Sequence, residues 1–402
     1  MRALYCTDTW LPQVNGVTVV TERSVRGLMA RGWTVDVIAP RYPRPDMLSQ
    51  TGVAVGGSSR VVVHSVPSVA APRYPELRIA FPAPWRINAI VRNFAPDIVH
   101  CATEFTIGRV GMWAAARAGI PVVTSYHTDF GRYAQLYGFG RAGRWVEQYV
   151  GAMHRAAART FTPSAAAKSA LTRLDVSSVE VWGRGVDLAT FRPDRRSADL
   201  RARLGLQGAF TFLYVGRLAR EKSVHVVLKA FRLLTERLGH KTLRLVVAGS
   251  GPEELTLREL APAGTVFLGN LDRDRELPAL YATADAFAFA STTETLGLVV
   301  LEAMASGLPV IATPSGGVAE HLRDDVNGLA FPAGDIGALA SAMHTMATTA
   351  GLRERLSAGA IETAGRLGWE DELDRLDAAY RDVCAQAREP RRLAAGLRLD
   401  KA

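Results

Sequence analysis

Residues 291–310 read Ser291-Thr-Thr-Glu294-Thr-Leu-Gly297-Leu-Val-Val-Leu-Glu302-Ala-Met-Ala-Ser-Gly307-Leu-Pro309-Val310. The small, apolar run Ala286–Ala290 just before this stretch reads as a buried strand. Leu298–Ser306 reads as a helix, Gly307 and Pro309 stop it, and Val310–Thr313 reads as the next strand. Strand, polar turn, helix and strand make one βαβ unit, whose two strands run parallel.

The alternation extends in both directions. Upstream in the same half, Phe212–Val215, Leu243–Ala248 and Val266–Leu268 read as strands, with a helical pattern at Val224–Leu238. An earlier series reads Arg2–Cys6, Val35–Ala39, Val61–Val66, Ile98–Cys101, Val122–Tyr126 and Thr160–Pro163, with helices at Val19–Arg31, Arg109–Ala118 and Arg144–Arg159. Two βα series predict an α/β chain with two Rossmann-like sheets. The pattern breaks at Trp182–Pro193, and a long amphipathic helix follows from Trp369 to about Arg388, with a frayed end at Pro390. A chain of 402 residues suits two such domains.

Bulk properties exclude several classes. The 48% hydrophobic and 22% charged composition is that of a soluble globular protein. Cys6, Cys101 and Cys384 are far apart and odd in number, which predicts a reducing compartment. No apolar run reaches the roughly 18 residues of a membrane span, and no signal peptide fits before the first strand. The expected location is cytoplasmic, soluble or peripheral at the inner membrane face. The net charge of +9 is unevenly spread: Arg132, Arg141, Arg144, Arg155, Arg159, Lys168 and Arg173 face one acid, Glu147. Tyr133, Tyr137, Phe139, Trp145 and Tyr149 are interleaved with them. Such a stretch suits an anionic membrane surface or a merely solvated face; no nucleic-acid motif accompanies it.

In open α/β sheets ligands bind at the carboxyl ends of the strands, so the strand-to-helix loops are where the chemistry is sought. Glu294 lies in a turn and Glu302 in the helix; within one helix they would sit about 80° apart. They can therefore serve different parts of one ligand, such as sugar hydroxyls and a ribose diol. Tyr214-Val-Gly216-Arg217-Leu-Ala-Arg-Glu-Lys222 brings a glycine turn and two cations to a helix start, an arrangement that stabilises a departing diphosphate. Asn15-Gly16-Val17 and Ser315-Gly316-Gly317 are glycine turns at helix starts, each able to let phosphate approach backbone amides. His127, in Tyr126-His127-Thr128, is placed to bear on an acceptor hydroxyl or a developing oxocarbenium, or is a hydrogen-bonded structural residue. Asp272-Arg-Asp274 reads as a helix cap rather than a metal site. His100, His127 and His154 are isolated in sequence, so no essential metal and no cofactor are expected. Gly249-Ser-Gly251 lacks the third glycine of a dinucleotide fingerprint, because Glu254 stands there.

Together these pieces resemble family four of the retaining GT-B glycosyltransferases, the glycosyl transferases group 1, over nearly the whole chain. The resemblance rests on Leu11-Pro12-x-x-Asn15-Gly16-Val17, Tyr126-His127-Thr128, Arg184-Gly185-Val186-Asp187, Gly216-Arg217 with Lys222, Gly249-x-Gly251-Pro252 and Glu294-x7-Glu302. It implies two facing Rossmann-like domains with parallel sheets: residues 1–182 for the acceptor, 183–370 for the donor, and a helix and tail at 371–402 crossing back to the first. It also implies that Arg217 and Lys222 bind the diphosphate and that Gly16 lets the donor phosphate approach. Glu294 with Thr295, Leu296 and Gly297 would contact the donor sugar, Glu302 the ribose, and His127 would lie beside that sugar. Leu296 stands where many members carry Phe, which leaves the donor preference open.

The wording is similar to bacterial GDP-mannose-dependent α-mannosyltransferases and to glycolipid and sulfolipid glycosyltransferases. The implied function is retaining, metal-independent transfer of a hexose, mannose favoured, from a nucleotide-sugar donor (GDP-mannose, with a UDP-sugar as the other candidate). The acceptor is an alcohol, lipid or lipid-linked in one reading and a soluble small molecule in the other. A nucleotide-sugar epimerase and a non-catalytic sugar-nucleotide sensor are further alternatives.

Overall fold

The computed structural model describes all residues except 14, 44–52, 55–59, 72–73, 130–139 and 400–402; the side chains of 53–54, 60, 74–76, 140–142 and 389–399 are also outside the description. Arg132, Tyr133, Tyr137 and Phe139 of the basic aromatic stretch therefore lie outside the described residues, as does the Arg141 side chain. The chain divides into two compact units, Met1–Gly183 with Glu370–Ala402, and Arg184–Trp369.

The strands of the first unit are β1 (Arg2–Cys6), β2 (Thr34–Pro40), β3 (Val53–Ala54), β4 (Arg60–Val66), β5 (Ser68–Ala71), β6 (Tyr74–Ala80), β7 (Ile98–Cys101), β8 (Val122–Ser125), β9 (Arg159–Thr162) and β10 (Val179–Val181). They line up as β10-β9-β8-β7-β1-β2-β4-β3. All pair in parallel except β3, which runs antiparallel to β4, while β5 and β6 form a separate hairpin. The second unit contains β11 (Phe210–Val215), β12 (Leu243–Ala248), β13 (Thr265–Gly269), β14 (Ala286–Phe289), β15 (Val310–Ala312) and β16 (Gly328–Ala330), ordered β13-β12-β11-β14-β15-β16 and parallel throughout. The central strands are buried on both faces, which is why they read as continuous apolar runs rather than alternating ones.

The α/β fold expected from the sequence is the fold observed. Five strands escaped the reading, β3, β5, β6, β10 and β16, and so did the helices Pro84–Phe94, Ile336–Thr348 and Leu352–Gly365. Val179-Glu-Val and Gly328-Leu-Ala are three residues each, too short to show a periodicity.

The C-terminal helix spans Trp369–Leu399 and packs within the first unit. It continues through Pro390, beyond the expected end near Arg388. A polar seam docks it. Arg31 pairs with Glu370 and Asp374, and the Trp33 indole donates to Asp377. Tyr380 enters the core, its hydroxyl 2.8 Å from that of Tyr5 and bonded to His100, whose other nitrogen is 2.7 Å from Ser125 Oγ. Gly27 allows the close approach: a Cβ there would sit 2.3 Å from the Leu373 side chain.

Both sheets change strand order at a switch point, between β1 and β7 in the first unit and between β11 and β14 in the second. Loops at the carboxyl ends of strands beside such a switch form a crevice suited to ligands.

Candidate active site

The second unit's switch point brings together two loops far apart in sequence. After β11, the chain passes Gly216 and the exposed Arg217, makes a short turn at Arg220–Lys222, and enters the helix Val224–Leu238. After β14, it passes Ser291 and Glu294 and enters the helix Leu298–Ala305 through Gly297, which has a left-handed φ of 79°. Lys222 Nζ lies 2.5 Å from Glu294 Oε1, and Ser291 Oγ donates to the same oxygen at 2.7 Å. The Lys222 and Glu294 side chains keep 18% and 14% of their surface in water, enough for a ligand to reach them. A cation and an acceptor-only carboxylate held in contact can serve a leaving phosphate and a sugar hydroxyl side by side. Leu296 is buried in the apolar core, so only its backbone faces the turn; Thr295 is half-buried.

Glycines pin these loops to one another. The Gly249 Cα stands so close to the Gly216 carbonyl oxygen that a Cβ would approach it to 2.0 Å, and a Cβ on Gly251 would meet the Leu218 oxygen at 2.3 Å. On the other side of the switch, a Cβ on Gly316 would lie 2.1 Å from the Glu294 oxygen, and one on Gly317 would lie 2.4 Å from that of Thr295. The Gly317 amide donates to the Glu294 carbonyl at 2.9 Å. The turn Ser315–Gly317 thus has its close backbone approach to Glu294 and Thr295.

Glu302 is 2% exposed and engaged on both oxygens. Arg273 donates to Oε1 through Nε at 3.1 Å and Nη2 at 2.6 Å, and the Tyr281 hydroxyl donates to Oε2 at 3.2 Å. Burial pushes the Glu302 carboxyl up, and Arg273 opposes that shift. Arg273 also stacks over the Phe191 ring, 5.1 Å from its centroid. Its loop is shaped by Asp272, whose Oδ1 accepts the amides of Asp274 and Arg275, so this Asp-x-Asp is a turn cap.

In the first unit, Gly16 opens the helix Gly16–Ala30 beside the switch point, with nothing within 4 Å of where a Cβ would be. The Asn15 side chain caps that helix by accepting from the Thr18 amide, and donates to Thr9 Oγ1. Asp8 is buried, taking Thr103 Oγ1 at 2.7 Å, Thr106 Oγ1 at 2.9 Å and the Ile107 amide at 2.9 Å. It ties the loop after β1 to the helix that follows β7. His127 is half-buried just past β8; loss of hydration and the nearby His154 push its imidazole down to about 4, leaving it neutral near pH 7. His154 itself is buried, with Nδ1 2.8 Å from Thr124 Oγ1 and Nε2 3.4 Å from Glu104 Oε1. The fold therefore brings His100, His127 and His154, isolated in sequence, within electrostatic reach of one another.

Sequence reading missed Arg273, Tyr281 and Asp8. Arg273 and Tyr281 lie 29 and 21 residues from Glu302, with no spacing rule linking them. Asp8 is a lone acid just after a strand, and its caps are about 100 residues downstream. Among the described residues no group of three His, Cys, Asp or Glu could hold a metal ion, and no helix is long and apolar enough to cross a membrane.

Residues 14–190 match the family described as Glycosyltransferase Family 4, and residues 197–363 match Glycosyl transferases group 1. The chain is 37% identical, over 79% of its length and 80% of the relative's, to the GDP-mannose-dependent alpha-mannosyltransferase of Mycolicibacterium smegmatis. It is 31% identical to the alpha-monoglucosyldiacylglycerol synthase of Streptococcus pneumoniae, over 78% of this chain and 71% of that one. Among solved structures, sucrose-phosphate synthase from Thermosynechococcus elongatus shares the fold, with a TM-score of 0.77 at 21% identity, covering 96% of this chain and 99% of that one.

Proposed function

Because the chain belongs to glycosyltransferase family 4, we propose that the sugar it transfers is mannose, delivered by GDP-mannose to an acceptor hydroxyl with retention and without a metal ion. That it is a glycosyltransferase follows from the family; donor, stereochemistry, residue roles and acceptor are the proposal. The observation that carries the roles is the contact between Lys222 and Glu294 at the β11/β14 switch point. Arg217 and Lys222 neutralise the diphosphate as the bond from sugar C1 to phosphate oxygen breaks. Glu294 accepts hydrogen bonds from hydroxyls of the sugar, while the backbone of Thr295, Leu296 and Gly297 lines the turn. Glu302 has three of about four lone-pair directions engaged, so one remains for a ribose hydroxyl, and Arg273 and Tyr281 orient it.

In this reading the acceptor oxygen attacks C1 from the face the phosphate leaves. The new C1–O bond forms as the old one breaks, and the acceptor proton passes to the departing phosphate oxygen. This scheme needs no second carboxylate placed as in a glycosidase pair. Neutral His127 can accept or donate a hydrogen bond. Gly16, with open space over its Cα, lets a phosphate oxygen reach the start of its helix. The acceptor is a lipid or lipid-linked glycan, a class supported by the similarity to a glycolipid synthase.

Thermal shift against GDP-mannose, UDP-glucose, UDP-galactose, UDP-N-acetylglucosamine and NAD, with EDTA present, tests the donor. Stabilisation by GDP-mannose alone is expected; a response to a UDP-sugar instead overturns the donor assignment, and dependence on added metal overturns the metal-free scheme. The one-bond C1–H1 coupling at the anomeric centre of the product then tests retention, and a β-mannoside would end that part of the reading.

A further inference from the structure

The chain has seven tryptophans, and they fall into two groups. Trp10, Trp33, Trp182 and Trp369 are buried. Trp85, Trp113 and Trp145 are 75%, 42% and 78% exposed, and each lies on a different one of three consecutive helices, Pro84–Phe94, Thr106–Ala118 and Gly140–Arg155. These helices lead in turn to β7, β8 and β9, successive neighbours in the sheet, so right-handed crossovers lay them side by side on one face. The first two pack against each other, and Arg109 of the second stacks on Tyr149 of the third, 5.3 Å from the ring centroid.

Phe105 and Tyr149 add two more exposed rings to this face. The same helices carry Arg86, Arg92, Arg109, Arg117, Arg144 and Arg155, all exposed, and one acid, the half-buried Glu147. Phe105, Arg109, Trp113 and Arg117 recur at four-residue spacing, a stripe of alternating ring and cation down one helix, and Arg117 lies over Trp113 at 5.1 Å. The second unit offers no counterpart: among its described residues the exposed large apolar side chains are Leu188, Leu233, Leu255, Val326 and Ile361, without an aromatic.

We propose that this three-helix face docks the protein onto an anionic lipid bilayer, with the indole rings at headgroup depth and the arginines among the lipid phosphates. The pairing of chemistry selects this occupant. Tryptophan and tyrosine favour the water–bilayer boundary because one end of each ring system is apolar and the other polar. Clustered arginine is attracted to acidic headgroups over about a Debye length. A second copy of the chain would present the same six cations and be repelled. The proposal extends the lipid-acceptor reading above, which supplies its purpose, but stands on the surface alone.

The test uses the full chain and vesicles of equimolar phosphatidylcholine and phosphatidylglycerol. The protein should sediment with these vesicles, stay in solution with pure phosphatidylcholine, and be released by high salt. Replacing three charges, R109Q/R117Q/R144Q, should weaken the partition about a hundredfold. W85A/W113A/W145A should lower it further and abolish the blue shift of tryptophan emission on binding. In both variants the donor-induced thermal shift and the hydrolysis of donor by water should match wild type, showing intact folding. Wild type remaining in solution, variants sedimenting like wild type, or tighter binding to single-stranded RNA than to vesicles would overturn the proposal. If vesicles are bound but no detergent-dispersed lipid is glycosylated, the acceptor reading fails and the docking face stands.

Discussion

Gly316 and Gly16 each follow a strand and precede a helix, and in the sequence they are the same device. In the folded chain they differ. Gly316 has a φ of 57° and stands against the Glu294 carbonyl, while Gly16 faces open space. The contrast holds for the two switch points as wholes. In the second unit, backbone meets backbone at Gly249, Gly251, Gly316 and Gly317, and the Lys222–Glu294 pair closes the arrangement. In the first unit a close backbone approach lies within one loop, a Cβ on Gly108 meeting the Thr103 oxygen at 1.9 Å, while different loops are tied to one another by side chains: Asp8 to Thr103 and Thr106, Asn15 to Thr9, and His154 to Thr124. A loop fixed by backbone contact has one shape and is preorganised for a ligand common to a whole family. Loops held by side chains can be rebuilt one substitution at a time.

If the Lys222–Glu294 contact is the centre of the rigid half, its loss is the largest effect to expect. Lys222→Ala and Glu294→Ala should each lower turnover by about 10²–10³, the range for losing one preorganised electrostatic contact. Because the two share a contact, the double variant should cost much less than the product of the single losses. Steady-state kinetics of the three variants with saturating donor decide it. Multiplying losses would mean the two residues act independently, and the contact would then be an incidental ion pair.

The two glycine turns give the next effect in size. Gly316→Ala drives a methyl group into the Glu294 carbonyl at a left-handed φ, and should destabilise the fold by about 2–3 kcal/mol. Gly16→Ala should leave stability within about 0.5 kcal/mol yet weaken donor binding, since its methyl would occupy the space offered to phosphate. Urea unfolding and donor titration of both variants separate these outcomes. Equal destabilisation in the two would erase the distinction between the turns.

The same contrast explains what was legible in the sequence. The second half's loops announce themselves because Gly216, Gly249, Gly297 and Gly316 are needed at positions where other residues clash or strain, so glycine marks the turn. Lys222 is legible from its glycine turn, and Glu294 from its turn between strand and helix with Glu302 eight residues on. Their 2.5 Å contact is not, since 72 residues separate them and only the β11–β14 pairing brings them together. Glu302 was legible as a carboxylate on a helix, but its partners Arg273 and Tyr281 come from another loop and helix. In the first unit the basic stretch from Arg132 to Arg173 pointed toward an unusual surface. Its aromatic half could not be seen whole, because Trp85 and Trp113 lie on earlier helices and join Trp145 only through the order of strands.

The smallest expected effect concerns the buried seam by which the C-terminal helix docks in the first unit. His100 lies fully buried between Tyr380 and Ser125, and loss of hydration pushes its imidazole down to about 3. In the unfolded chain the same group titrates near its ordinary value of about 6.5. Between those two values the unfolded state holds a proton that the folded state does not, so unfolding takes up a proton and acid favours it. Stability contributed by the neutral imidazole is therefore complete above about pH 6.5 and is lost progressively as pH falls toward 3. Moving from about pH 7.5 to 5.5 should cost wild type about 1 kcal/mol through this group alone. His100→Gln keeps a hydrogen-bonding side chain but has nothing to protonate, so its stability should fall less over the same interval even if it starts lower. Urea unfolding at the two pH values measures the difference of differences. An identical pH slope in the two proteins would show that the seam tolerates a charged imidazole, and that Tyr380 and Ser125 rearrange to solvate it.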